Sequence, residues 1–133
     1  MSVYIKLEKK SSIQDDFNGI DGKAVSKHWK ELNSIAKQKE VKTLDEFVSA
    51  SADDLANLIG EEGLEEAGIE LPKEQWFSAA DGLRAIEFLI SYCQDNKKAF
   101  ENMSRLLADL EGFKAGLKAA QSKKIGFHFF FDS

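Results

Sequence analysis

Only two segments of this chain have the pattern of a β-strand, and they lie near its two ends. In SVYIKLEK, at positions 2–9, apolar and polar residues alternate, which is typical of a strand with one buried face. In IGFHFFF, at positions 125–131, every second residue is large and apolar, so this strand also has one apolar face. Two paired strands are only marginally stable by themselves. We therefore predict that residues 3–8 and 125–131 are neighbouring strands and that helices cover them.

Helical periodicity begins soon after the first strand. KAVSKHWKELNSIAKQK, at positions 23–39, places apolar residues at helical spacing and leaves lysines on the solvent side. TLDEFVSA begins with the capping-box pair Thr43 and Glu46, and Ser51 with Asp54 repeats that pattern, so two short helices are predicted here. The stretch before position 23 is rich in Asn, Asp, Gly and Ser, which indicates a loop.

Two longer helices follow, and the first of them is predicted to be central. Ser78 is expected to cap it, with Asp81 as the capping-box partner three residues on. From Leu83 onward the helix is apolar over most of its circumference, so neighbouring elements must enclose it. Its narrow polar stripe consists of Arg84, Glu87, Ser91 and Gln94. In the last helix, from Met103 to Ala120, apolar residues recur alternately three and four positions apart, a pattern that packs along another helix.

These elements predict an α+β fold, mostly helical, in which the N- and C-terminal strands pair in a small sheet covered by helices. A chain of 133 residues fits one domain, and we predict a single domain over residues 1–133. A composition of 43% hydrophobic and 31% charged residues is that of an ordinary globular protein. Within the last strand, Phe127, Phe129 and Phe131 are predicted to be buried together, with Phe130 beside His128 on the opposite face.

Charge and composition exclude several classes of protein. The formal net charge of −5 argues against a protein that neutralises nucleic-acid phosphates. No apolar run approaches the roughly 18 residues of a membrane span, and MSVYIKLEKK lacks the order of features found in a secretory signal. Cys93 is the only cysteine, so an intramolecular disulfide is impossible. We predict a cytoplasmic protein with no nucleic-acid partner and no membrane partner.

Motifs for metal binding or covalent chemistry are scarce. Two histidines and Cys93, scattered along the chain, do not have the spacing of a metal site, and no metal or other cofactor is predicted. His128 and Asp132 share a strand face, but about 13 Å of extended chain separates them, which is too far for a hydrogen bond. The loop DDFNGIDG departs from the EF-hand pattern at its fifth, sixth and twelfth positions and is interpreted as a turn. The acidic run at 61–70 is more often a solvated face than a site for a basic partner.

One constellation of polar and aromatic residues could form a site. EQWFSAADGLR brings Glu74, Trp76, Asp81 and Arg84 together at the start of the central helix, where backbone N–H groups are free and the potential is positive. His128 would join them if the C-terminal strand passes nearby. This set is the candidate pocket. The alternative is a capped helix with Trp76 packed over its end.

Three segments carry a resemblance to a known group of proteins: NGIDGKAVSKHWKELNSIAKQKEVKTLDEFVS, ELPKEQWFSAADGLRAIEFLISY and LADLEGFKAGLKAAQSKKIGFHFFFDS. Together they resemble a family of small bacterial proteins of unknown function, many of them cyanobacterial. The most specific part is EQWFSAADGL followed by FHFFFD. A more distant likeness is to the YfbM-like proteins of unknown function. The resemblance implies a bacterial cytoplasmic protein, supplies no activity or cofactor, and draws attention to Glu74, Trp76, Asp81 and His128.

These observations favour a non-enzymatic binding or interaction protein, because the sequence has no nucleophile–base set, no metal spacing and no cofactor loop. The alternative hypothesis is a small enzyme or ligand-binding protein with a pocket near Trp76, Asp81, Arg84 and His128. A protein partner or a homodimer is compatible with the first hypothesis. If Phe130 is exposed beside His128, it becomes the best candidate for the contact surface.

Overall fold

The sheet forms from the two ends of the chain. In a computed structural model, which describes residues 2–8, 22–49 and 74–132, strand β1 (Ser2–Leu7) pairs with strand β2 (Phe127–Asp132). The strands are antiparallel, and Lys6 lies opposite His128 in their register. The predicted α+β fold with paired terminal strands is therefore confirmed.

One face of this sheet forms part of the core. Its completely buried members are Val3, Phe127 and Phe129, each 0% exposed. Phe131 remains partly exposed but packs edge-to-face on Trp29, with ring centroids 4.9 Å apart. The predicted burial is thus confirmed for Phe127 and Phe129, whereas Phe131 lies at the margin of the core.

Strand β2 makes backbone hydrogen bonds along both of its edges, a feature that was not predicted from the sequence. Beyond β1, its other edge faces Phe77, which exchanges two backbone hydrogen bonds of 2.8 and 3.0 Å with Phe127. Further along, the N–H of Ser49 donates to the carbonyl of Phe129 at 3.1 Å. Two short stretches from the middle of the chain therefore extend the sheet by single bridges, and β2 lies between them and β1.

The predicted helix over 23–39 is divided into two. Helix α1 covers Lys23–Lys27 and helix α2 covers Trp29–Gln38, with a turn at His28 between them. The ring of His28 is 7% exposed and packs edge-on against Phe100 at 5.0 Å. Both ring nitrogens are within hydrogen-bonding distance of oxygens, so local contacts hold this turn: Glu31 Oε2 at 2.9 Å and the carbonyl of Glu101 at 3.2 Å.

A short 3₁₀ helix, Leu44–Phe47, follows α2, and its predicted capping box is present. The backbone N–H of Thr43 donates to Glu46 Oε2 at 2.7 Å. This bond satisfies one of the donors that a helix start leaves without an intrahelical acceptor. Phe47, the last residue of this 3₁₀ helix, lies in the core, where it is 1% exposed.

Helices α3 (Ala79–Asp95) and α4 (Met103–Ser122) pack along each other. Phe113 of α4 also contacts Phe129 of β2, with ring centroids 5.8 Å apart. A Cβ atom at Gly82 of α3 would overlap the ring of Phe127, so glycine lets the helix approach β2 closely. The sequence-based capping prediction for α3 was wrong in one respect, because Ser78 occupies the N-cap position but makes no side-chain hydrogen bond to the helix. The carboxylate of Asp81 instead lies among cations, as described below.

Several predictions fall outside the described residues. They are the loop and turn before position 22, the short helix expected from Ser51, and the solvated acidic run at 61–70. The single domain over residues 1–133 likewise stays a prediction.

Candidate functional site

The segment that precedes α3 carries Glu74 and Trp76 to the outer face of the sheet. Because Phe77 pairs with Phe127 through two backbone hydrogen bonds, the residue before Phe77 lies beside the residue after Phe127. The indole of Trp76 accordingly packs on the imidazole of His128, with ring centroids 4.7 Å apart. The fold thus brings residues more than fifty positions apart into one cluster.

His128 is completely buried, at 0% exposure, and both of its ring nitrogens have partners. Nε2 lies 2.7 Å from Glu74 Oε2, and Nδ1 lies 3.1 Å from the carbonyl oxygen of Phe129. A carbonyl and a carboxylate can only accept. Both hydrogen bonds therefore form together when the ring carries a proton on each nitrogen.

Glu74 connects the two strands of the sheet. Its Oε2 atom, already bonded to His128, is also 3.1 Å from Lys6 Nζ. Burial by itself would raise the pKa of this carboxyl, but the hydrogen bonds from His128 and Lys6 and the positive charge of both groups outweigh it, so the pKa of Glu74 is lowered. The carboxylate form is the one that fits this site.

Partly exposed aromatic rings surround the buried imidazole. Tyr4 and Phe130 are stacked with centroids 5.5 Å apart, and the Phe130 ring lies 6.3 Å from that of His128. Trp76 also contacts the His128 ring, and all three aromatic residues are intermediate in exposure. We call the surface formed by Tyr4, Trp76 and Phe130 the aromatic patch.

Asp81 and Arg84 belong to a different cluster. Asp81 Oδ2 is 3.6 Å from Lys42 Nζ, and Asp81 Oδ1 is 3.7 Å from a guanidinium nitrogen of Arg84. Among the described residues, neither makes a hydrogen bond or ion pair with Glu74 or His128. The structure thus brings together Glu74, Trp76, His128 and Phe130 and leaves Asp81 and Arg84 at the α3 N-terminus.

The chemistry open to this cluster is limited by its own hydrogen bonds. A general base needs an accessible lone pair, whereas both nitrogens of His128 are occupied and the ring is closed to solvent. Elsewhere, burial raises the pKa of the Cys93 thiol to about 11, which disfavours the reactive thiolate. In the part of the chain that the structure describes, no three residues of metal-ligating type are grouped so that they could hold a metal ion.

Two members of the cluster, Lys6 and Tyr4, were not among the residues singled out from the sequence. The alternation in the first strand placed both on the face opposite the buried one, and both terminal strands were expected to pair. The missing information was the register, which sets Lys6 opposite His128 and Tyr4 opposite Phe130.

Comparisons of the chain with protein-family models, curated proteins and solved structures give no match. Within the described residues, no helix is both long and apolar enough to cross a membrane.

Proposed function

We propose that this chain is a non-enzymatic binding protein that engages a protein partner through the aromatic patch. The observation that supports this proposal is the closed state of the Glu74–His128 cluster. His128 has no free nitrogen and no exposed surface, and Glu74 is shared between His128 and Lys6. A cluster of this kind holds the segment at 74–77 against the sheet. We also propose that the protein is cytoplasmic.

The aromatic patch has the chemistry of a contact surface. Tyrosine and tryptophan combine a large apolar ring with a polar atom, and aromatic residues are enriched at protein interfaces. Here the rings of Tyr4 and Phe130 are already stacked, and Trp76 packs on a fully buried ring. A partner therefore meets preorganised side chains, which lowers the entropy cost of association.

The test compares the full chain with Phe130→Ser and with Phe130→Thr, which keeps a strand-forming residue at that position. Gln94→Ala, on the exposed side of α3, is the control. Each purified protein serves as bait, and a captured protein is then purified and its affinity measured directly. We expect about tenfold or greater loss of affinity for both Phe130 variants, with unchanged circular dichroism, because a central aromatic residue often contributes more than 1 kcal/mol. A partner bound equally by all variants would contradict the proposal.

Light scattering after size exclusion distinguishes a second copy of the chain from another protein. If the wild-type chain is a dimer and the Phe130→Ser variant is a monomer, the partner is a second copy of the chain. If the chain is a monomer and captures a different protein, the aromatic patch contacts that different protein. The proposal is overturned if the chain is a monomer and no captured protein binds it once that protein has been purified.

The alternative of a small enzyme or ligand-binding protein rests on one observation, the 2.7 Å contact between an imidazole nitrogen and a carboxylate oxygen beside Trp76. Such a pair can exchange a proton with a substrate only after the ring becomes accessible. A turnover activity lost in His128→Asn, with the fold retained, would favour this alternative.

A further inference from the structure

The polar atoms of the aromatic patch indicate which kind of partner segment fits it, an inference that rests on the proposed function. The indole N–H of Trp76 can only donate a hydrogen bond, and the phenol hydroxyl of Tyr4 can donate or accept one. Within the described residues, neither group has a hydrogen-bond partner. Neither is buried, since Asn33 Nδ2 is the only buried side-chain atom without a partner in that part of the chain. The patch therefore presents two accessible donors among its rings.

The patch offers few acceptors in return. The ring of Phe130 has no polar atom, and both nitrogens of His128 are already bonded. The carboxylate that touches His128 belongs to Glu74, and its Oε2 atom is shared with Lys6. A partner segment with many N–H groups would bury them unpaired against this surface, which costs free energy. A segment whose own polar groups are mainly acceptors matches the patch.

Two common kinds of partner segment do not meet this requirement. An added β-strand needs free backbone groups, but β2 bonds to β1 along one edge and, at Phe127 and Phe129, to Phe77 and Ser49 along the other. An α-helix uses its own carbonyls in internal hydrogen bonds, so it would leave the donors of Tyr4 and Trp76 without acceptors. The patch instead needs a segment with free carbonyls and few N–H groups.

We propose that the aromatic patch binds a proline-rich segment of its partner in the polyproline II conformation. Proline has a carbonyl but no backbone N–H, so such a segment supplies acceptors and leaves no donor unpaired. A polyproline II helix has no internal hydrogen bonds, so its carbonyls are free to accept from Trp76 and Tyr4. Segments of this kind dock on aromatic-lined surfaces, and their preformed conformation lowers the entropy cost of binding.

The positions of the two donors also fit this helix. Tyr4 lies opposite Phe130 on β1, whereas Trp76 packs on His128 from beyond the other edge of β2. Two strand spacings of about 4.8 Å and an offset of two residues, or roughly 7 Å, place the two positions about 12 Å apart. A polyproline II helix advances about 3.1 Å per residue, so about four residues span this separation. One short segment can therefore reach both donors.

The test is an NMR titration of the isotope-labelled full chain with capped hexaproline, which is uncharged and adopts the polyproline II helix. The control is a capped, uncharged peptide of the same length with alternating Gly and Ser, which is flexible and rich in N–H groups. We expect hexaproline to shift the indole N–H signal of Trp76 saturably, and the control peptide to bind at least about tenfold more weakly. The signal is identified by its absence from Trp76→Phe.

Two conservative substitutions each remove one donor and keep an aromatic ring. Tyr4→Phe and Trp76→Phe should each bind hexaproline about fivefold more weakly, because each loses one hydrogen bond. Tyr92→Phe makes the same change as Tyr4→Phe at a half-buried position of α3, outside the patch, and should bind as the wild type does. Circular dichroism checks that each variant keeps the fold, and backbone amide shifts report binding by Trp76→Phe.

This inference is overturned if hexaproline causes no saturable shift, or if the Gly–Ser peptide binds equally well. It is also overturned if Tyr4→Phe and Trp76→Phe bind hexaproline as tightly as the wild type. If a partner is captured through Phe130 and its contacting segment contains no proline, the inference fails while the proposed function stands. If neither hexaproline nor any purified partner binds the chain, both fail.

Discussion

At the scale of single residues, Glu74 has the contacts with the widest consequences. One of its carboxylate oxygens bonds to His128 on β2 and to Lys6 on β1. Removing one member of such a cluster leaves the others partly buried without their counter-charge, which usually costs more than the intact pair contributes. We therefore regard Glu74 as the residue that secures the segment before α3 to the sheet.

The lowered pKa of Glu74 predicts a specific dependence of stability on pH. Its unfolded value is near 4.5, and its folded value lies below that. The stabilisation from this carboxylate is therefore fully present above about pH 4.5 and is lost as the pH falls through the lower folded pKa. We expect wild type to be more stable than Glu74→Gln at neutral pH, with a difference that shrinks below pH 4.5.

Urea denaturation from neutral to acid pH measures this difference. Gln94→Ala serves as the control, because it removes no ionisable group and its difference from wild type should stay constant. If the free-energy difference between wild type and Glu74→Gln does not change with pH, the carboxylate is not held by His128 and Lys6 in solution.

The candidate site could be predicted from the sequence only in part, for physical reasons that differ between residues. Hydrophobic alternation excludes a one-residue slip of the strands, which would turn each face over, but it tolerates a two-residue slip. Lys6 therefore could not be matched to His128 in advance. Proximity at the start of the predicted helix likewise grouped Asp81 with Glu74, but it did not give the rotation of α3 about its axis. Gly82 faces Phe127, and Asp81 faces Lys42.

At the scale of elements, helices could be predicted where the apolar pattern is long. Helix α3 and helix α4 follow their predicted apolar faces closely, because most of each face is buried in one core. The turn at His28 was not predictable, since it depends on the carbonyl of Glu101, which is remote in sequence. A second remote contact acts on α1, where Asp109 Oδ2 of helix α4 accepts the backbone N–H groups of Ala24 and Val25 at 3.2 and 3.4 Å.

Helix α3 gives the sharpest mutational test of an element. Ile86 is 0% exposed, whereas its neighbour Glu87 lies on the exposed stripe. Truncating a buried Ile loses its transfer free energy and leaves a cavity, so Ile86→Ala should lower the free energy of unfolding by about 2–5 kcal/mol. Glu87→Ala should change it by about 0.5 kcal/mol or less. Equal effects of the two substitutions in chemical denaturation would mean that the buried face of α3 is wrongly assigned.

At the scale of the whole molecule, β2 connects elements from every described part of the chain. Its backbone bonds to β1, to Phe77 and to Ser49. Its core-facing rings contact those of Trp29, Phe47 and Phe113 at centroid distances of 5.9, 5.5 and 5.8 Å. The aromatic C-terminal segment therefore occupies the centre of the packing, although it is the last element along the chain.

This central position predicts the effect of removing residues 125–133. Burying each Phe side chain contributes about 1.5–3 kcal/mol, and Phe127 and Phe129 are both 0% exposed. Their loss, together with that of the β1 pairing, approaches the total stability of about 5–15 kcal/mol typical of a folded domain. The truncated chain should therefore lose cooperative thermal melting and should aggregate or remain unfolded. Phe130→Thr, which changes the outer face of the same strand, should keep a cooperative transition. A truncated chain that keeps native circular dichroism and melts cooperatively would show that β2 is dispensable for the core and serves as a binding strand.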